Sequence, residues 1–118
     1  MKEMSSGAYS DIAYALQLVN NQKLDFVIIS IGDYYVQFCF TQDKRFLTFE
    51  AVSSEYLPKV GDRDTEFKQL GFRLAESGNY QKFISVADVF IDSIVSEIKA
   101  IFETIYHVDF NSYKIDEG

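Results

Sequence analysis

Between Leu24 and Ala51 three apolar runs follow one another, and the breaks between them are too short to hold anything but turns. Leu24 to Ile31 is rich in Val and Ile and too short for a helix of ordinary length, so it reads as a buried strand. Gly32-Asp33 is a turn signal. After it Tyr34, Val36, Phe38 and Phe40 alternate with Tyr35, Gln37, Cys39 and Thr41, the period of a strand with two unlike faces. Asp43-Lys44 marks the next turn. In the third run Leu47, Phe49 and Ala51 alternate with Phe46, Thr48 and Glu50. Three sequential strands with such short connections form an antiparallel meander, and everything else in the chain must pack around it.

Helical periodicity brackets the meander. Ile12, Ala15, Leu16 and Val19 recur at helical spacing, which predicts a helix over Ala8 to Asn20 with Ser5 or Ser6 as its cap. Ser53 to Arg63, with the single proline Pro58, reads as a loop. Asp64 to Leu70 reads as one or two helical turns ending at Gly71. Phe72 to Ala75 and Tyr80 to Ser85 read as short strands around the turn Ser77-Gly78-Asn79. Ile91, Ile94, Ile98, Ile101 and Ile105 form an apolar stripe opposite Asp88, Asp92, Ser96, Lys99 and Glu103. That pattern predicts an amphipathic helix from about Ala87 to Tyr106, with Ser85 as N-cap and Asp88 in the first turn. The order is α-β-β-β-α-β-β-α, and Asn111 to Gly118 reads as a polar tail. The fold class is α+β: one twisted antiparallel sheet of about five strands with flanking helices. Its core should hold Ile12, Leu16, Ile28, Val36, Phe38, Phe49, Ile94, Ile98 and Ile101.

The 118 residues fit one domain, and a domain of that size buries a real core without disulfides or metal. The net charge is −7, and the stretch from Asp88 onward supplies seven acids against Lys99 and Lys114, leaving −5 there. The bases are scattered, which argues against nucleic acid, since phosphate binding needs clustered Lys and Arg. An acidic face suits a basic protein partner and equally serves solubility. The one cysteine, Cys39, has no internal disulfide partner. That fits a reducing compartment, as does an N-terminus without a signal-peptide pattern. With no apolar run of membrane-spanning length, a cytoplasmic protein is expected.

Candidate chemistry is thin. The one histidine, His107, and Cys39 are too few to build a His/Cys metal site. A Cys39–His107 dyad depends on the fold bringing them together, and Cys39 stands mid-strand where a small buried residue is the default. Asp62-Arg63-Asp64 offers two alternate carboxylates in a loop, without the spacing of a calcium loop; helix capping by Asp62 or Asp64 is the simpler reading. Asp88 and Asp92 lie one turn apart on the final helix. There is no glycine-rich phosphate loop, nucleophile elbow or HExxH. Neither enzymatic activity nor a cofactor is expected.

Three stretches resemble a known family. They are Phe26-Val27-Ile28-Ile29-Ser30 with Tyr35-Val36-Gln37-Phe38; Glu50-Ala51-Val52-Ser53-Ser54-Glu55-Tyr56-Leu57-Pro58; and Leu70-Gly71-Phe72 followed by Asn79-Tyr80 and the long final helix. Over about residues 24 to 106 the chain resembles the bacterial domains with a type III secretion chaperone-like fold, known as TY-Chap. Ser54 stands where family members usually have Asn, and Phe72 where they often have Trp. The resemblance implies a twisted antiparallel sheet with packed helices and a protein that holds a secreted client, commonly as a homodimer. It brings no catalytic residues.

The expected function is therefore a binding module that masks a secreted effector or toxin, as a secretion chaperone or an immunity protein. A regulatory adaptor of a cellular protein is the alternative, and an enzyme of unrecognised type a weaker one. Candidate partner-binding residues are Tyr35 and Gln37 on the second strand, Glu50 on the third, Glu55, Tyr56, Asp62 and Asp64 in the loop, and the helix acids Asp88, Asp92 and Glu103. Tyrosine is favoured because it buries area at low entropy cost. Glu50, an acid in an apolar strand, is expected to face solvent. Monomer and homodimer both remain open.

Overall fold

The meander forms with the register that the alternation requires. A computed structural model describes residues 9–118. In it β1 (Phe26–Ile31) pairs antiparallel with β2 (Tyr34–Phe40), and β2 with β3 (Phe46–Ala51). The helix α1 (Ser10–Asn20) precedes them, and a 3-10 turn (Pro58–Val60) and the short helix α2 (Asp64–Gln69) follow. Next come β4 (Arg73–Leu74), β5 (Tyr80–Ser85), a 3-10 turn (Val86–Asp88) and the helix α3 (Ile91–Ala100), which runs into a π-helical turn (Ile101–Ile105). A last 3-10 turn (Phe110–Ser112) leads to β6 (Lys114–Glu117). The strands make one antiparallel sheet in the order β4-β5-β3-β2-β1-β6. The α+β class and single antiparallel sheet are those expected, with six strands in place of about five.

The sixth strand corrects the reading of Asn111 to Gly118 as a polar tail. Lys114–Glu117 pairs with Val27–Ser30 along the free edge of β1. Phe110, wholly buried, anchors the approach, and the Tyr113 hydroxyl donates to Asp11 Oδ1 of α1 at 2.6 Å. Burial and that carboxylate push the Tyr113 hydroxyl pKa up. Edge strands carry charged side chains because only one of their faces and one of their edges are covered. Lys114, Asp116 and Glu117 thus mimic a tail in composition.

The described helices pack on one face of the sheet. Ile12, Ala15, Leu16 and Val19 of α1 join Ile94 and Ile98 of α3 and Ile101, Phe102 and Ile105 of the π turn over Val27, Ile29, Val36, Phe38, Leu47 and Phe49. Eight of the nine expected core residues are buried there, the exception being Ile28. A strand's side chains alternate, so burying Val27 and Ile29 sends Ile28 to the other face, where it is half-exposed. The π turn places Phe102, Ile105 and Tyr106 together in the core, and the buried Tyr106 hydroxyl donates to Val52 O at 2.7 Å. Burial pushes its pKa far up, so it serves as a neutral donor.

Helix starts differ from expectation. The described part of α1 begins at Ser10 with Tyr9 at its N-cap, and Ser5 and Ser6 lie outside the described residues. Ser85 precedes only the 3-10 turn; α3 begins at Ile91 after an extended Phe90. Asp88 is consequently not in the first turn of that helix, and Asp92 takes the place beside its N-terminus. Neither Asp62 nor Asp64 caps α2 through its side chain, but Asp62 Oδ1 accepts from the Asp64 N–H at 3.2 Å.

Candidate functional site

Alternation along β1, β2, β3 and β5 sends every second side chain to the face away from the helices. Register aligns these side chains into two rows. One row runs Phe26, Cys39, Thr48, Phe83; the other runs Ile28, Gln37, Glu50, Gln81 and ends at Arg73 of the edge strand. The first row is mainly apolar. Phe83 at its end is 58% exposed, and Phe46 on the same face of β3 is 37% exposed. Phe46 and Phe83 are diagonal neighbours on β3 and β5, and it is adjoining exposed apolar side chains, not single ones, that mark an interaction surface.

The second row is built around Glu50. Its Oε2 accepts from Asn79 Nδ2 at 2.9 Å and its Oε1 from Gln81 Nε2 at 2.6 Å. Asn79 is 4% exposed and is the hub. Its Nδ2 also donates to the Tyr35 hydroxyl at 3.0 Å, while its Oδ1 accepts from the Ser53 N–H at 3.0 Å. The Ser53 hydroxyl donates to Gly78 O, and the Tyr56 hydroxyl to Ser77 O. Strands β2, β3 and β5, the start of the long loop and the β4–β5 turn are thus clasped at one corner. A buried polar cluster with its hydrogen bonds satisfied fixes side-chain geometry in advance of any partner.

Of the ten candidate residues, five meet at this corner. Tyr35 and Glu50 share the Asn79 amide, Gln37 stands opposite Glu50 in the register, and Glu55 and Tyr56 lie against the turn. Glu50 does lie on the solvent side of the sheet as expected, though half-buried and held by two amides. The other five lie elsewhere. Asp64 pairs with Lys68 at 2.9 Å and accepts from the Tyr80 hydroxyl at 3.4 Å, beside exposed Asp62. Asp88 is in a 3-10 turn and Asp92 in α3, so they do not share one helix face; Glu103 is exposed on the π turn. Glu97 of the same acidic stretch is drawn inward to pair with Lys82.

Asn79 and Gln81 were not among the candidates. Asn79 was marked by the turn Ser77-Gly78-Asn79 and by the stretch Asn79-Tyr80 of the family resemblance, and Gln81 only by lying in the short strand Tyr80 to Ser85; none of these tells which carboxylate lies across the sheet. The turn depends on Gly78, whose φ of +97° lies in the left-handed region. A Cβ there would stand 2.8 Å from Glu55 Oε2 and 2.9 Å from the Tyr56 ring. We expect Gly78→Ala to cost about 1–2 kcal/mol through the backbone alone and to displace Tyr56; urea unfolding and the Tyr56 ring resonances would check both.

Cys39 and His107 do not meet. Cys39 faces the open side, half-exposed rather than buried in the core, and burial together with the Glu50 carboxylate pushes its thiol pKa up. His107 is exposed at the end of the π turn, in the left-handed conformation (φ 59°), beside Tyr106 on the helix-covered side near Tyr34. Among the described residues no three His, Cys, Asp or Glu side chains converge in a metal-holding group, and no helix is long and apolar enough to cross a membrane. Comparisons of this chain with protein-family models, with curated proteins and with solved structures find no match.

Proposed function

We propose that this chain is a non-enzymatic, cytoplasmic protein-binding module that binds and masks a secreted effector or toxin through the open face of its sheet. The observation that carries this reading is a sheet that the described helices cover on one face only, whose other face holds Tyr35 and Glu50 in a fixed hydrogen-bonded array beside exposed Phe83 and Phe46. A preorganised face loses little side-chain freedom on association, so more of the contact energy appears as affinity. Aromatic anchors beside fixed polar groups are the usual makings of an interface hot spot. The resemblance to type III secretion chaperone-like domains supports the choice of a secreted client. Exposed Asp88, Asp92 and Glu103 lie on other elements and act as steering charge toward a basic partner.

Co-expression with the product of each flanking reading frame tests the proposal. One product is expected to co-purify with the chain, and Phe83→Asp is expected to weaken that complex by at least about tenfold, the size of a lost anchor. His107→Ala, away from that face, is expected to bind as the wild type does. A client held unfolded identifies the secretion-chaperone form; a folded toxin whose activity is blocked identifies the immunity form. If no flanking product binds, or if Phe83→Asp binds unchanged, the proposal fails.

A further inference from the structure

The carboxylate of Glu50 is half-buried in the middle of the sheet, and among the described residues no Lys or Arg pairs with it. Its inward hydrogen bonds come from two neutral amides, Asn79 Nδ2 and Gln81 Nε2. The base in its own row, Arg73, is two strands away across Gln81 and makes no ion pair among the described residues. Lys82, the one base on the covered side of β5, is by contrast paired with Glu97 and also donates to Leu70 O at 2.8 Å. Glu50 thus stands apart as a fixed negative charge, oriented by amides and not neutralised by them.

A carboxylate oxygen accepts more than one hydrogen bond, and one amide on each oxygen of Glu50 leaves acceptor capacity on both. Two such oxygens match the two-pronged fork of a guanidinium better than the single point of an ammonium. The Tyr35 side chain, tied to the same Asn79 amide, stands next to the carboxylate and offers an aromatic neighbour on which a guanidinium can pack. The apolar row through Cys39 and Thr48 flanks the position on the adjacent register. There a partner's aliphatic stem would lie against apolar surface while its head meets Glu50.

We infer that the Glu50–Tyr35–Asn79–Gln81 cluster is the docking point for an arginine side chain presented by the protein partner. This rests on the reading of the open face as the binding surface, and it specifies the chemistry that the partner must bring. Removing the charge of a centrally placed, partly desolvated pair affects dissociation more than association, in contrast to the exposed acids Asp88, Asp92 and Glu103.

The probe is N-acetyl-arginine-N-methylamide, titrated into the isotope-labelled full chain and followed through the side-chain amide resonances of Asn79 and Gln81. Those resonances are expected to shift progressively with the arginine probe, less with the lysine analogue, and not with the neutral citrulline analogue. Glu50→Gln should weaken the response by roughly tenfold or more. Tyr35→Ala, which keeps the carboxylate, should erase the preference for arginine over lysine. Equal shifts with citrulline, a response unchanged in both Glu50→Gln and Tyr35→Ala, or larger shifts around Asp88, Asp92 and Glu103 than at Asn79 would each overturn the inference. A silent cluster together with a flanking product whose binding is still lost in Phe83→Asp would sink the arginine site and leave the binding face standing.

Discussion

Replacing Phe67 by alanine is expected to lower the stability of the domain by about 3–5 kcal/mol, the range for emptying a packed aromatic site. Phe67 is the buried residue of α2, and its ring ties that six-residue helix to three separate parts of the core. It stacks on Tyr80 of β5 at 4.3 Å between centroids, meets Phe72 edge-on at 5.4 Å and approaches Tyr106 at 6.1 Å. A helix this short has no stability of its own and is held by packing. Without the ring, the Asp64–Lys68 pair and the other surface contacts of α2 are exposed to water and contribute little. The midpoint of urea unfolding should fall at nearly constant slope, as befits a loss of stability without a change of surface exposed. A midpoint within error of the wild type would mean that α2 is an ornament on a core complete without it.

Deleting Asp109 to Gly118 should cost at least as much. The segment removes the wholly buried Phe110, which lies 5.3 Å from Phe102, 5.1 Å from Tyr9 and 5.1 Å from Tyr113 between ring centroids. It also removes the hydroxyl tie to Asp11 and the pairing of β6 with β1. The Phe110 ring alone is worth about 3–5 kcal/mol, against a total of about 5–15 kcal/mol for an ordinary domain. The truncated chain should therefore be only marginally folded. It should also self-associate, because the edge of β1, with its Val-Ile-Ile run, loses its cover. Phe110→Ala in the full chain separates the two effects: it should lose the ring's share and stay monodisperse by light scattering if the wild type is so. A truncated chain as stable as the full one would return these residues to the status of a tail.

Both predictions concern places where sequence pattern carried unequal information. Period-2 alternation in Tyr34 to Thr41 and Phe46 to Ala51 identified which residues share a face, and the structure keeps both assignments. The isoleucine stripe identified the inward face of the last helix, because a 3.6-residue period is a property of the chain alone. For β1 the continuous run Phe26-Val27-Ile28-Ile29 has no alternation to read. Only packing against α1 settled that Val27 and Ile29 go inward and Ile28 outward. Lys114 to Glu117 reads as polar because just one of its residues is apolar: Ile115 lies opposite Ile29, while Glu117, opposite Val27 on the same face, is exposed.

The same division runs through the candidate site. That Tyr35, Gln37 and Glu50 point one way was determined by the sequence, since neighbours on a strand face are fixed by parity. That Glu50 meets Asn79 and Gln81 was decided by the tertiary structure. Residues 29 and 31 positions apart come together only because β5 inserts beside β3, and no local period encodes that choice of neighbour. The acids Asp88 and Asp92 make the converse case. Helical spacing put them on one face, but the chain stays extended at Val89 and Phe90 before α3 begins, and the two part. Local pattern thus determined faces, the meander and the class of fold; long-range packing decided which faces meet, which edge is closed and which amides hold Glu50.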